Sequence, residues 1–174
     1  MKDAVVEGHT VVATSMRSRG GRMPEGIGAQ EMCTASSEGD VARMRMLLSC
    51  GVDPDEGDYD SRTPLHLACA AGKIMAVSFL LGASATPNMK DRWNASPMDD
   101  CVRGQTLYHV YCAKMLQGWG GDLSVYKNTP EGSMTLGGGN GGTTSGMGEE
   151  FMRQMNAANM EQVTAVMKKM VAWG

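Results

Sequence analysis

Apolar positions along this chain recur at two periods, a short one within helices and a longer one of 33 residues between them. Ile74, Val77, Leu80 and Leu81 fall at helical spacing and predict one amphipathic helix. Tyr108, Tyr111, Cys112, Met115, Leu116 and Trp119 form a second stripe, predicting another helix with that face buried. Ahead of each stripe stands helix-start chemistry, Thr63-Pro64-Leu65-His66 and Ser96-Pro97-Met98-Asp99. In each, a hydroxyl residue serves as N-cap and proline takes the first helical position, where its missing N–H costs nothing. Asp99, three residues after Ser96, is placed to complete a capping box. The first helix of the better-formed unit is expected over Pro64 to Ala71, burying Leu65, Ala68 and Cys69 and ending at Gly72, which tolerates positive φ.

Sliding the chain against itself by 33 residues aligns Gln30, Thr63 and Ser96, then Met32, Leu65 and Met98, then Ala35, Ala68 and Cys101. Gly39 and Gly72 align, with Gln105 third; Met44, Val77 and Val110 follow, then Leu47, Leu80 and Ala113. One spacing that reproduces apolar, small and glycine positions in turn identifies a repeat architecture.

Thr-Pro-Leu-His-Leu-Ala, followed by Gly72 and the pair Leu80-Leu81, resembles the ankyrin repeat. The resemblance covers about residues 28–119, as three repeats. Asp58 to His66 and Lys90 to Asp99 look like the ankyrin tail of glutaminase-type proteins. It implies an all-α stack of helix pairs joined by β-hairpin fingers, a scaffold that binds other proteins. The first repeat has Gln30-Glu31-Met32-Cys33 where the motif would stand, and the third has Asp99 and Gln105 for histidine and glycine. Polar, degenerate end repeats are expected of caps, and three repeats are the minimum that buries a continuous core.

The pattern changes after Trp119. Residues 128–148 hold eight glycines among serine, threonine and asparagine, the composition of a flexible linker. A helical pattern resumes at Glu149, with Met160, Val163, Val166, Met167, Met170 and Val171 on one apolar face and Lys168-Lys169 near the end. The chain is thus divided into a basic arm at 1–27, the repeats at 28–119, a glycine-rich linker at 120–148 and a C-terminal amphipathic helix at 149–174. Methionine-rich faces adapt to irregular surfaces, and docking of this helix on another protein is favoured over packing in cis. Truncation after Leu123 is then expected to leave the repeats nearly as stable while abolishing assembly.

Composition narrows the function by exclusion. The chain has 174 residues, a formal net charge of −3 and 5% aromatic residues, so it lacks the basic face of a nucleic-acid binder. The apolar run from Ile74 to Ala85 is too short to span a bilayer, and no secretory apolar region opens the chain. Residues 10–24 are acid-free and carry Arg17, Arg19 and Arg22, a composition with a transit-peptide flavour. Cys33, Cys50, Cys69, Cys101 and Cys112 are odd in number and form no CxxC pair, which suits buried thiols in a reducing, intracellular compartment.

Catalytic motifs fail on inspection. Ser124-Val125-Tyr126-Lys127 matches an acyl-transfer Ser-x-x-Lys in two positions only. A calcium loop counted from Asp53 puts Gly57, Asp58 and Pro64 where an oxygen ligand, glycine and glutamate are needed. Gly137 to Gly142 lacks the Lys-Ser/Thr of a phosphate loop. No enzyme, cofactor or metal site is expected.

The expected function is that of a non-catalytic protein-interaction module, an accessory or scaffold subunit of a multi-subunit assembly. Its site includes an organellar one, photosynthetic or respiratory, with peripheral association to a membrane complex. The alternative is a cytosolic adaptor that binds partners transiently. Binding is expected at Asp58, Tyr59 and Arg62 on the first finger, at Lys90, Arg92 and Trp93 on the second, and at Met160, Val163, Met167 and Met170 on the tail helix. Replacing Tyr59 and Arg62 together by alanine is expected to weaken partner binding without unfolding the chain.

Overall fold

The computed structural model describes residues 26–122, 153–154, 157–158 and 160–172, the side chains of Met160 and of residues 170–172 excepted. Seven helices are described: α1 (Ile27–Glu38), α2 (Val41–Ser49), α3 (Pro64–Ala70), α4 (Ile74–Gly82), α5 (Pro97–Gly104), α6 (Leu107–Gly118) and α7 (Met160–Ala172). Residues 1–25 of the basic arm and 123–148 of the glycine-rich linker lie outside the described residues.

The caps do what the sequence asks of them. Thr63 and Ser96 are extended residues that open α3 and α5, with Pro64 and Pro97 inside the first turn and a capping box in each. Asp99 closes its box by accepting from Ser96 N at 2.7 Å and Ser96 Oγ at 2.9 Å. In α3 the same place is taken by His66, whose Nδ1 accepts from Thr63 N at 3.1 Å. Since Nδ1 is the acceptor, Nε2 carries the proton and donates to Ala95 O at 3.1 Å, tying the second repeat to the loop ahead of the third. α1 has no Thr-Pro start and instead runs back to Ile27, with left-handed Gly26 as its N-cap.

α1, α3 and α5 lie side by side as one layer, and α2, α4 and α6 form the second. Met32, Leu65 and Met98 are buried from the first layer, and Met44, Val77 and Val110 from the second, as the 33-residue alignment requires. Small Ala35, Ala68 and Cys101 are fully buried where the first-layer helices meet.

The alignment slips once. The closing turns of the first two units bond Val52 N to Leu47 O and Ala85 N to Leu80 O, whereas the third bonds Gly121 N to Leu116 O. Leu116 and not Ala113 is therefore the counterpart of Leu47 and Leu80. α2 and α4 have nine residues each and α6 has twelve, so three residues are inserted within the last helix. Tyr111, Cys112, Met115 and Leu116 are buried as predicted, but Tyr108 and Trp119 are exposed.

Gly39 and Gly72 take left-handed conformations after α1 and α3, and Gln105 takes the same one after α5 with φ 55°. A side chain there costs on the order of 1 kcal/mol relative to glycine.

Burial of the neutral His66 ring makes stability fall with acid. Burial strips water from the charged form of the ring and lowers its pKa below the usual 6.5. The unfolded chain therefore binds the extra proton first, and the stability His66 adds is complete above about pH 6.5 and is lost as pH drops below it. Urea unfolding at descending pH checks this. The stability advantage of the native chain over His66→Gln shrinks from pH 7.5 towards pH 5; a constant difference would contradict it.

Candidate functional site

Each finger is wound around one aspartate. Asp58 Oδ1 accepts from Asp60 N at 2.9 Å and Arg62 N at 3.0 Å, and Asp58 N bonds to Arg62 O. Asp91, 33 residues on, repeats the device, its Oδ1 accepting from Trp93 N at 2.9 Å and Ala95 N at 2.8 Å. Ser61 and Asn94 occupy the left-handed position of the two turns. The expected β-hairpin fingers are thus closed by aspartate side chains and single backbone bonds, and no strand occurs among the described residues. The fingers are linked to each other by Arg92 N donating to Asp60 O and by an ion pair between the same two residues. Below them, Asp55 holds Thr86 N and Oγ1, and Asn88 holds Asp122 N and Gly120 O.

The predicted finger residues part company here. Tyr59 is 87% exposed and Trp93 58%, with the Arg92 guanidinium 5.3 Å from the Trp93 ring centroid. Lys90 is exposed. Asp58 is committed to its own backbone. Arg62 is turned inward, its Nη2 2.9 Å from Asp100 Oδ2, while Arg103 reaches the other oxygen of that carboxylate at 3.1 Å. Asp100 is 4% exposed, so removing Arg62 strips a buried carboxylate of its better-shielded partner. The double alanine variant at Tyr59 and Arg62 is therefore expected to lower stability as well as alter the surface.

The tail residues are also placed differently from expectation. α7 packs in cis on α6: Val163 is 1% exposed, Ala158 is buried, and Val166 and Met167 lie half-buried against the same core. Val163 and Met167 are core contacts of this chain and not a free docking face. Met160 and Met170 fall within α7, and their side chains lie outside the described residues.

Between α1 and the first finger opens a cleft of about 650 Å³, lined chiefly by Gln30, Cys33, Thr34, Ser37, Tyr59 and Leu67. It is the side on which α1 and α3 meet the finger, and sequence patterning had no means of assembling it, since its walls come from two repeats. Cys33 is no nucleophile there: burial, with the Asp58 carboxylate adding to it, pushes the thiol up to about 12, and Sγ donates to Arg62 O at 3.5 Å. Burial first, and the neighbouring Cys101 second, also pushes up the thiols of Cys69 and Cys112. All five cysteines are buried and stand outside any disulfide. Among the described residues no group of side chains is placed to hold a metal ion, and no helix is long and apolar enough to cross a membrane.

Paired helices in two layers, TPLH-type caps and aspartate-wound fingers define a helix-pair repeat protein. A family profile of ankyrin repeats in three copies matches residues 32–125, more than half of the chain. The chain belongs to the ankyrin-repeat family. It is 43% identical over 84 residues to the mitochondrial liver isoform of glutaminase from Rattus norvegicus, a match covering 48% of this chain and 14% of that protein. It is 42% identical over 69 residues to the potassium channel GORK of Arabidopsis thaliana, covering 40% and 8%. With an L-asparaginase of Dirofilaria immitis it shares 34% over 74 residues, covering 42% and 12%. The chain thus covers only a small part of each of these larger proteins. Ankyrin repeats indicate a protein-interaction module, and the repeat domain itself is a binding unit without catalysis.

Proposed function

We propose that this chain is an interaction module that receives a segment of a partner protein in the cleft between α1 and the first finger. The cleft carries this reading. Its floor is made of short side chains, Thr34, Ser37 and Cys33 beside Leu67, and exposed Tyr59 stands at the rim. A concave, mixed floor with one aromatic anchor suits a peptide segment better than a small reactive substrate.

Two modes of working follow from the same surface. As an accessory or scaffold subunit of a larger assembly, organellar or not, the chain would stay bound. As an adaptor it would bind transiently. The cis packing of α7 favours the adaptor, because the tail helix spends Val163 and Met167 on its own repeats and needs no partner to bury them.

Affinity purification of the tagged chain, native gel migration and mass spectrometry test both points. Thr34 is exposed on the cleft floor, so Thr34→Arg is expected to abolish partner recovery with thermal stability unchanged. Partners retained by Thr34→Arg would move the binding surface elsewhere. Migration near 18.5 kDa after gentle extraction supports the adaptor, and stable migration in a large complex supports the accessory subunit.

A further inference from the structure

The two fingers carry opposite charge. From Asp53 to Asp60 the first finger holds five carboxylates and no cation. At the same turn of the second, the exposed charges are Lys90 and Arg92, while the carboxylate of Asp91 is buried and occupied by backbone N–H groups. Contacts within the chain consume only part of this contrast. Arg92 pairs with Asp60, Asp55 holds Thr86 and Asp58 holds its own turn. Glu56 and Lys90 are both exposed, and neither makes an ion pair among the described residues. Three residues along the chain from each stand the exposed rings of Tyr59 and Trp93, residue types that anchor protein interfaces.

We propose that the finger tips dock a second copy of this chain. An isologous pair needs a surface complementary to itself, so that each group finds its counterpart twice across a two-fold axis. Two adjacent fingers of opposite sign meet that condition when the axis passes between them. The first finger of each copy then lies against the second finger of the other, Glu56 facing Lys90 of the partner subunit, with the aromatic rings closing around the axis. Arg92 and Asp60 enter already paired, so they bring no uncompensated charge into the contact. The surface is small beside a standard interface of about 1,600 Å², so the pair is reversible and weakened by salt. The pair and the cleft share the Tyr59 ring, and the two are told apart because the charge reversals at Glu56 and Lys90 read the first while Thr34→Arg reads the second.

Sedimentation of the full chain over a wide concentration series at low salt is the test. A reversible monomer–dimer equilibrium is expected. Glu56→Lys and Lys90→Glu each weaken it about tenfold, since either change breaks two symmetry-related contacts, and combining them restores the native affinity. Trp93→Ala weakens it as well. All three positions are exposed, so circular dichroism should show every variant folded. A chain that stays monomeric throughout overturns the proposal. So does a dimer indifferent to the single reversals, or one that the double reversal fails to restore.

Discussion

Gly104→Ala lowers stability by about 3 kcal/mol, an effect out of proportion to one methyl group on a helix end. A Cβ at Gly104 would stand 2.0 Å from both Cδ2 and Nε2 of His109. That ring has nowhere to retreat. Its Nδ1 accepts from Thr106 Oγ1 at 2.6 Å, and its Nε2 donates to Ala70 O at 3.0 Å, on the last residue of α3. Expelling the ring breaks both bonds and removes one of the ties between the third repeat and the second. Urea unfolding of four chains checks this: native, Gly104→Ala, His109→Ala and the double variant. With the ring gone the methyl group has room, so Gly104→Ala in the His109→Ala background should cost less than about 0.5 kcal/mol. A Gly104→Ala chain as stable as the native one would show that the ring is not held as described.

Val163→Asp is the second large effect, a loss of about 2–3 kcal/mol. A carboxylate cannot be buried unpaired at a site 1% exposed, so α7 leaves its seat on α6. The cost saturates at what docking contributes, namely burial of Val163 and Ala158 with partial burial of Val166 and Met167, offset by ordering the helix. Truncation after Leu123 should therefore cost the same as Val163→Asp, and the two changes together no more than either. That reverses the expectation from sequence that the repeats are indifferent to the tail. Equal melting temperatures for the native, truncated and Val163→Asp chains would return α7 to a partner.

The periodic part of the fold was open to sequence reasoning because each repeat states its own helix starts, small contact positions and turns. Thr63, Ser96, Asp99 and the buried Leu65 and Met98 all sit where local rules put them. What escaped is non-local or non-periodic. Amphipathic spacing marks α7 as having a face to bury but does not say on what. Arg62 reads as a finger-tip cation because Asp100, the residue that turns it inward, is 38 positions away. Asp58 reads as a finger-tip charge, although it serves two backbone N–H groups, as Asp91 does one repeat on.

The positions of Gly104 and His109 show the limit most clearly. Their counterparts are Glu38 and Arg43 in the first repeat and Ala71 and Ala76 in the second. Glu38 and Arg43 form an ion pair at 3.5 Å, Ala76 is buried beneath an exposed Ala71 that needs no partner side chain, and the glycine makes room for the imidazole. One location thus has three solutions, and only coordinates reveal that the residues change as a pair. The candidate cleft was legible at its rim, through Tyr59, and not at its floor, which α1 and α3 build jointly.

The three residues inserted in α6 set a boundary on growth. Units that share one length form a ladder to which another rung can always be added, by duplication in evolution or by grafting in the laboratory. A closing second-layer helix of twelve residues, where α2 and α4 have nine, offers the next rung a surface of the wrong height. α7 covers that helix instead, as a terminus that is not itself a rung. Lengthening this array at its C-terminal end therefore means first trimming α6 back to the common length, not merely appending another copy of the repeat.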